Sequence, residues 1–295
     1  MRIIFAGSSS FACPSLTALL DCKEHSVCCV LTQPDRRAGR GLQLSETPVK
    51  QVLGQRVPLL QPALLSDSVI DELASYEADI MVVVAYGLMI PPQLLDLFPY
   101  GCVNIHPSAL PRYRGSSPIQ ATIANGDDLC VVTLMKMDEG WDSGPIIAQD
   151  VITLDQTETS NQLLEKASLV GSKLLVNTLN DADDWVLTPQ VGQPSYAKKI
   201  QKSALEIDLS WSSVVIERFV RAYGDYGCYL NIGGKHIIIH QVAIQDGVTN
   251  DRSHFVNNGF IKCGDDKSIL IKTWTIPGKA KRSLDYGHPP LRFDH

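Results

Sequence analysis

Five short apolar segments recur through the first 136 residues, and helix-forming segments separate them. Most of them are continuously apolar and rich in Val, Ile and Leu, as expected for strands that are covered on both faces. They occupy residues 3–7, 26–32, 79–85, 102–106 and 129–136. Strands that alternate with helices predict an α/β fold with an open, mostly parallel, Rossmann-like sheet. In such a sheet, ligands bind beyond the carboxyl ends of the strands.

Helical spacing of apolar residues predicts helices over 14–20, 68–76, 92–97, 117–124, 159–180 and 212–222. Between the last two, Pro189, Gly192 and Pro194 interrupt a stretch without periodicity, which predicts a linker over 185–202. We therefore divide the chain into a first domain, 1–184, and a second domain, 203–295.

The second domain is predicted to be mainly β. Short alternating segments occupy 229–232, 235–241, 259–262 and 268–272. Gly233-Gly234 lies between the first two segments and predicts a hairpin. A small barrel of the OB type is the natural closure for about five short strands.

The two parts of the chain differ in charge. Residues 1–195 carry 12 Lys and Arg against 22 Asp and Glu, whereas residues 196–295 carry 14 against 10. The overall net charge of −6 argues against a wholly basic nucleic-acid binder. The basic last part suggests a second module with a partner of its own, and chance is the alternative explanation.

Membrane proteins and secreted disulfide scaffolds do not fit this sequence. No apolar segment reaches the about 18 residues that span a bilayer, and Met1–Gly7 is too short for a signal peptide and predicts a first strand. None of the eight cysteines forms a C-x-x-C motif, so we expect reduced thiols and no zinc site. We expect a cytoplasmic protein without contact to membranes.

Common phosphate-binding motifs are missing from the sequence. Residues 5–11, F-A-G-S-S-S-F, follow a predicted strand where a dinucleotide fingerprint would lie, but they lack the G-x-G-x-x-G glycines. No G-x-x-x-x-G-K-[ST] motif is present. NAD, FAD and ATP are therefore not expected as ligands.

Asn104 and His106 are the first candidates for chemistry. They lie two residues apart on one predicted strand, so their side chains share a face, and Pro107 ends the strand. An amide beside an imidazole stabilises a developing oxyanion while the imidazole manages a proton. A buried pair bonded to neighbouring loops is the alternative interpretation.

The segment M-D-E-G-W-D-S-G, residues 137–144, supplies the carboxylates. It follows an apolar strand, and if that strand runs parallel to the Asn104–His106 strand, the segment places a carboxylate beside the imidazole. Such a carboxylate fixes the imidazole tautomer and stabilises its protonated form. Asp138 and Glu139 are expected to be a solvated turn. Without a Ser or Cys nucleophile, this set predicts transfer between two bound substrates.

A basic loop, residues 33–50, follows the second strand. Its Arg36, Arg37 and Arg40 lie beside Gly39 and Gly41, and the loop exceeds the usual two to six residues. Such loops reach phosphates, and a solvated surface excursion is the alternative. Arg112 and Arg114 lie on the same side as His106 and are candidates for the same anionic partner.

Together these motifs resemble the methionyl-tRNA formyltransferase family over most of the chain. The shared stretches, in order, are R-I-I-F-A-G at the start, Q-P-D-R-R-A-G-R-G, V-V-A-Y-G-L-M-I-P, N-I-H-P-S-A-L-P-R-Y-R-G-S-S-P-I-Q, M-D-E-G-W-D-S-G and S-Y-A-K-K-I with I-D-L-S-W. The N-x-H and D-[ST]-G motifs are common to folate-dependent formyltransferases. The arginine loop is similar to that of the tRNA-acting branch.

The resemblance implies the formyltransferase fold and a transfer of the formyl group from 10-formyltetrahydrofolate to the α-amine of methionine on initiator methionyl-tRNA. We expect a monomer without a metal ion. Asn104, His106 and Asp142 take the positions of the catalytic set. Ser108, Ala109, Leu110 and Pro111 take those of the folate-binding tetrad, with Ala where one Leu is usual, and Arg40, with Arg36 and Arg37, those of the tRNA-binding loop.

Four stretches depart from the family pattern, and three other functions stay open. Leu42-Gln43 replaces a basic pair, 222–227 lacks the family's N-P-[WY]-P-G, and 251–258 and 284–295 match the family poorly. The closest alternative is a folate-dependent formyltransferase that acts on a nucleotide-linked amino sugar or another small amine. The others are a catalytically silent tRNA-binding protein and a hydrolase of 10-formyltetrahydrofolate.

Overall fold

A computed structural model describes residues 1–38, 43–232, 234–245, 259–265, 267–284 and 289. Two compact units are distinguished. The first unit comprises residues 1–115, 129–153 and 164–196, and the second unit comprises 116–128, 154–163 and the described part of 197–295. The division of the chain at residues 184 and 202 stays a prediction.

The described residues form fourteen strands and seven α-helices. The strands are β1 (Arg2–Gly7), β2 (Ser26–Leu31), β3 (Arg36–Ala38), β4 (Gln43–Ser45), β5 (Leu59–Leu60), β6 (Ile80–Val84), β7 (Cys102–His106), β8 (Leu129–Lys136), β9 (Ile146–Thr153), β10 (Tyr229–Ile232), β11 (Lys235–Gln245), β12 (Phe260–Lys262), β13 (Ser268–Thr275) and β14 (Arg282–Ser283). The helices are α1 (Cys13–Asp21), α2 (Pro48–Leu53), α3 (Asp67–Ala74), α4 (Pro92–Leu95), α5 (Pro118–Asn125), α6 (Ser160–Asn180) and α7 (Ser213–Tyr223).

The first unit is built on a seven-stranded sheet with the order β5-β2-β1-β6-β7-β8-β9. The first five strands in this order run parallel. Strand β8 runs antiparallel to its neighbours β7 and β9. Strand β6 is buried over its whole length and β1 over all but Arg2, because both faces of the central strands are covered. The predicted Rossmann-like, mostly parallel sheet is confirmed.

The direction of β8 corrects one expectation. We expected the strand over 129–136 to run parallel to the Asn104–His106 strand, but it is antiparallel, with Val103 opposite Lys136 and His106 opposite Thr133. The reason is the hairpin that β8 forms with β9, a strand that the sequence reading did not include. Strand β8 therefore ends beside the start of β7, not beside its carboxyl end.

Helix α6 approaches the back of β7 closely through Gly171. A Cβ atom at this position would lie 2.8 Å from Cγ2 of Ile105 and 3.2 Å from Cγ1 of Val132. Both neighbours are β-branched side chains of the sheet, which have little freedom to move. Because Gly171 has no side chain, helix α6 can pack this closely against the strand that carries Asn104 and His106.

The described part of the predicted basic loop includes a two-stranded ribbon. Strands β3 and β4 pair antiparallel, with Arg36 opposite Ser45 and Arg37 opposite Leu44. We call this pair the arginine ribbon. Arg40 lies outside the described residues.

The second unit contains a five-stranded antiparallel sheet. Strands β10, β11, β13 and β12 follow in that order, and β14 pairs with β13. Ile232 of β10 pairs with Lys235 of β11, so the predicted hairpin is present, although Gly233 lies outside the described residues. Helix α7 contributes Ile216 and Val220 to the core around Trp274. The expectation of a mainly β second domain is confirmed. Among the described strands, no pairing joins the two edges of this sheet into a closed barrel.

None of the eight cysteines, all of which the structure describes, forms a disulfide bond. Five of them are buried: Cys29, Cys102, Cys130, Cys228 and Cys263. Burial raises the pKa of Cys102 and of Cys228 to about 12, so these thiols are protonated at neutral pH. Over the part of the chain that the structure describes, no helix is long and apolar enough to cross a membrane.

His240 of β11 is a half-buried histidine in the second unit. Its Nδ1 donates to the carbonyl of Gly224 at 3.2 Å, and its Nε2 accepts from the hydroxyl of Thr275 at 2.9 Å. Burial, followed by the charge of Lys281, lowers the pKa of His240, and the Gly224 carbonyl and Asp225 act in the opposite direction. The imidazole is therefore held neutral in the folded chain.

We predict that His240→Gln reduces the loss of stability at acidic pH. The folded pKa lies below the unfolded value of about 6.5, so the unfolded chain binds the proton more tightly. Stability is thus fully present above about pH 6.5 and is lost as the pH falls below it. The measurement is the urea midpoint at about pH 8 and about pH 5.5 for both proteins. The pKa of His25 is also lowered, and His25 contributes equally to the pH dependence of the wild-type chain and of His240→Gln. If the urea midpoint falls by the same amount in both proteins between about pH 8 and about pH 5.5, the prediction is wrong.

Candidate active site

Asn104 and His106 lie at the carboxyl end of β7, as predicted. Strand β7 ends at His106, whose residue is 5% exposed, while Asn104 is half-buried on the same face. The residues between and before them, Val103 and Ile105, are buried on the other face. The strand period therefore presents an amide and an imidazole side by side at the edge of the sheet where parallel α/β folds bind ligands.

One nitrogen of His106 is occupied by the protein. Its Nε2 lies 2.9 Å from the carbonyl oxygen of Tyr113. Because a carbonyl only accepts, Nε2 carries the hydrogen, and in the neutral ring Nδ1 is left with the lone pair. The Tyr113 backbone, and not a carboxylate, fixes the tautomer. Only Nδ1 is available for proton transfer.

Asp142 faces that free nitrogen. Its Oδ2 lies 3.8 Å from Nδ1 of His106, beyond direct hydrogen-bonding distance, and accepts from the backbone N–H of Gly115 at 2.7 Å. The side chain of Asp142 is 20% exposed. The structure thus brings Asn104, His106 and Asp142 together, even though the strand before Asp142 runs opposite to the expected direction.

The acidic loop, residues 137–145, makes this approach possible by folding back on the sheet. At its base, Lys136 N donates to the carbonyl of Pro145 at 2.9 Å. A Cβ at Gly144 would lie 1.8 Å from the carbonyl oxygen of Lys136, so only glycine fits. Asp142 itself has a φ of +49°, a conformation that costs a non-glycine residue about 1–3 kcal/mol. The contacts around the loop offset this cost.

A narrow cleft opens beside Asp142. Its volume is about 200 Å³. Its walls are mostly apolar and include two carboxylates; they comprise Leu88, Met89, Ile90, Met135, Met137, Asp138, Gly140, Trp141 and Asp142. Trp141 is 63% exposed at its rim. An apolar cleft with few polar groups is the usual form of a small-molecule site.

The predicted folate tetrad forms a tight turn directly after β7. Ser108 Oγ donates to the carbonyl of Arg112 at 2.7 Å, and the hydroxyl of Thr133 donates to the carbonyl of Ser108 at 2.7 Å. Ser108, Leu110 and Pro111 are buried, and Ala109 is half-buried. Among the described residues, those that line the cleft do not include the tetrad. A folate-binding role for residues 108–111 stays a prediction.

The arginines divide into two groups. Arg114 donates through Nε and Nη2 to Oε1 of Gln190, at 3.1 and 2.7 Å, and the Arg112 guanidinium lies 4.8 Å from the ring centre of Tyr113. These two arginines are thus engaged within the first unit. Arg36 and Arg37 are exposed on the arginine ribbon, and Arg36 Nη2 donates to Oε1 of Gln33 at 2.9 Å.

Two polar residues at the site escaped sequence reasoning. Gln190 contacts the acidic loop, and Ser195 accepts from Tyr113 N at 2.9 Å through its hydroxyl. Both lie in the stretch that composition marks as a linker, where polar residues are ordinary. No local pattern distinguishes them from solvated residues. Across the described part of the chain, no group of three or more His, Cys, Asp or Glu side chains is placed to hold a metal ion.

We predict that Gly144→Ala displaces the acidic loop and breaks the Gly115–Asp142 hydrogen bond. The added Cβ meets backbone, which cannot rotate away. Hydrogen exchange at the Gly115 amide should rise by about tenfold or more, since a hydrogen bond to a charged group contributes about 1.5–3 kcal/mol. Gly140→Ala is the matched control, because the nearest atom there is the rotatable hydroxyl of Ser143. Unchanged exchange at Gly115 in Gly144→Ala is the contrary result.

Comparison with known proteins gives a consistent relationship. Residues 1–179 match the formyl transferase family, and residues 199–285 match the formyl transferase C-terminal domain. The methionyl-tRNA formyltransferase of Pseudoalteromonas translucida (strain TAC 125) is 38% identical over 277 residues, which cover 92% of this chain and 85% of that protein.

Two solved structures share the fold. The methionyl-tRNA formyltransferase from Clostridium thermocellum has a TM-score of 0.61 at 16% identity, covering 84% of this chain and 95% of the other. WlaRD, a sugar 3N-formyl transferase, has a TM-score of 0.65 at 20% identity, covering 95% and 99%. At these identities the two structures speak for the fold alone. The family follows from the sequence matches: the chain belongs to the methionyl-tRNA formyltransferase family.

Proposed function

We propose that the chain, as a cytoplasmic monomer, transfers the formyl group of 10-formyltetrahydrofolate to the α-amine of methionine on initiator methionyl-tRNA. The observation that carries this proposal is the convergence of Asn104, the free Nδ1 of His106 and Asp142 at one strand end. The 38% identity to a methionyl-tRNA formyltransferase over 92% of the chain supports the choice of acceptor.

The proposed reaction is an acyl transfer through a tetrahedral intermediate. The amine nitrogen attacks the formyl carbon, and the electrons of the C=O bond move onto its oxygen. The C=O bond then re-forms as the C–N10 bond breaks, the amine loses a proton and N10 gains one. The products are N-formylmethionyl-tRNA and tetrahydrofolate, so atoms and charge balance without a metal.

Asn104 and His106 take the roles that their geometry permits. The Asn104 amide donates to the developing oxyanion, a type of contact that contributes about 10²–10³-fold in rate. With Nε2 engaged by Tyr113, Nδ1 of His106 is the nitrogen that exchanges the proton. Asp142 stabilises the imidazolium across the 3.8 Å gap, and this gap leaves Nδ1 open to a substrate atom.

The cleft beside Asp142 is proposed to take the pterin ring of the folate. Its volume of about 200 Å³ is smaller than the usual 300–1,000 Å³ of a whole ligand site, so it holds one ring system. Leu88, Ile90 and Met135 offer apolar faces to a flat ring. The folate donor is proposed from the family to which the chain belongs.

The arginine ribbon is proposed to hold the acceptor end of the tRNA. It follows β2, whose carboxyl end lies at the same edge of the sheet as that of β7, because both strands are parallel to β1 and β6. Three strand spacings separate β2 from β7, or about 14 Å. Arg36 and Arg37 therefore lie on the side of the sheet where the methionine must arrive.

The sugar formyltransferase is the weaker alternative. The likeness to WlaRD is at 20% identity, against 38% for the methionyl-tRNA formyltransferase. Substrate choice distinguishes the two functions directly.

We predict that the purified chain transfers radiolabelled formyl from 10-formyltetrahydrofolate to initiator methionyl-tRNA, and that Asp142→Asn lowers kcat about 10²-fold. The amide has the same shape as the carboxylate but cannot stabilise an imidazolium. Formyl transfer by the wild-type chain and by Asp142→Asn is measured as radioactivity of tRNA retained on a filter. An amino-sugar nucleotide is supplied as the competing acceptor. Transfer to the sugar and not to the tRNA rules the proposed function out, and near-native activity of Asp142→Asn removes Asp142 from the reaction.

We predict that Arg37→Ala weakens tRNA use and reduces its dependence on salt. The slope of log(kcat/KM) against log[salt] is negative, and each phosphate contact that is lost reduces its magnitude by about 0.7–0.9. The defect should therefore narrow as salt rises from about 50 to about 200 mM. Arg56→Ala is the control, since Arg56 is an exposed arginine paired with Asp21 at 3.1 Å. A defect of constant size at all salt concentrations contradicts a phosphate contact.

A further inference from the structure

The side chain of Gln190 lies between two parts of the candidate site. Its Nε2 donates to the carbonyl of Asp142 at 2.8 Å and to that of Gly144 at 2.8 Å. Its Oε1 accepts from Nε and Nη2 of Arg114, at 3.1 and 2.7 Å. One amide therefore joins the acidic loop to the loop that follows β7.

The amide of Gln190 can adopt only one orientation. An amide has two hydrogens to donate and two lone pairs to accept with, and all four are used here. Rotation by 180° would set the amide oxygen against two carbonyls and the NH₂ group against a guanidinium. The protein environment thus specifies a glutamine: a carboxylate lacks the donors and an ammonium lacks the acceptor.

Gln190 and Gly115 hold opposite ends of Asp142. Gly115 N–H binds the carboxylate, and Gln190 binds the backbone carbonyl of the same residue. Asp142 has a positive φ, so its backbone has other conformations into which it would relax. The two bonds together keep Oδ2 directed at Nδ1 of His106.

The same stretch of chain also holds the partner of His106. Ser195 Oγ accepts from Tyr113 N at 2.9 Å, and Ser195 N donates to the carbonyl of Pro111 at 3.2 Å. Tyr113 is the residue whose carbonyl binds His106 Nε2. We call residues 190–195 the bracing segment, because it contacts the supports of both Asp142 and His106.

We propose that Gln190 is a positioning residue for formyl transfer, which acts by fixing Asp142 opposite His106 Nδ1. This inference rests on the proposed function. Gln190 touches no reacting atom. Its effect on the reaction passes through the backbone of Asp142, and the predicted loss is therefore in kcat and not in the KM of either substrate.

The test uses two substitutions in the full chain. Gln190→Met keeps the length of the side chain and removes all four bonds. Gln190→Glu retains an acceptor for Arg114 and removes the two donors to the acidic loop. Both variants should lose about 10- to 100-fold in kcat, the size expected for a misplacement of about 1 Å. Gln193→Ala, an exposed glutamine of the same segment, is the control and should retain wild-type kcat.

A double-mutant cycle separates positioning from a general loss of structure. In an Asp142→Asn background, Gln190→Met should lower kcat less than about twofold further, because the group that it positions is already inactive. Hydrogen exchange at the Gly115 amide should rise in Gln190→Met with native catalytic residues. Equal losses of kcat in both backgrounds, or a Gln190→Glu variant with wild-type kcat, overturn the inference.

Failure of the inference and failure of the proposed function give different results. If the wild-type chain does not formylate methionyl-tRNA, the proposed function fails, and the Gly115 exchange still reports whether Gln190 holds Asp142. If the wild-type chain is active and Gln190→Met matches Gln193→Ala in kcat and in Gly115 exchange, only the role of Gln190 is refuted.

Discussion

The hydrogen bond from His106 Nε2 to the carbonyl of Tyr113 fixes the orientation of the imidazole at the candidate site. It engages one ring nitrogen with the scaffold and leaves Nδ1 facing Asp142. Everything else at the site is arranged around that remaining nitrogen. Asp142 faces it from the acidic loop, Asn104 lies on the same strand face, and the cleft opens beside Asp142.

This bond in turn depends on the path of the chain after β7. Tyr113 has a φ of +57°, an uncommon conformation for a non-glycine residue. Its N–H is bound by Ser195, and the preceding turn is bound through the hydroxyl of Thr133. The imidazole therefore depends on contacts between distant parts of the sequence: Thr133 lies 25 positions from Ser108, and Ser195 lies 82 positions from Tyr113. A single strand end is held by three distant parts of the first unit.

The sequence predicts the parts of the site that have a local signature. Asn104 and His106 share a face because strands have a period of two, and Pro107 marks the end of that strand. The direction of β8 could not be predicted, since Ile146–Thr153 is interrupted by Gln149 and Asp150 and does not read as a strand. Tyr113 acts through its backbone, which every residue possesses. Gln190 acts over 46 to 76 positions, and no local pattern records such a contact.

The hairpin between β8 and β9 has a consequence for how this protein can vary. Lys136 and Pro145 are joined at the base of the acidic loop, and Gly144 leaves no room for a side chain there. The length of the loop is constrained, because one inserted residue would shift Asp142 along the loop by about 3.5 Å, the advance of one residue of extended chain. Insertions and deletions between Lys136 and Pro145 would therefore move Asp142 away from Nδ1 of His106.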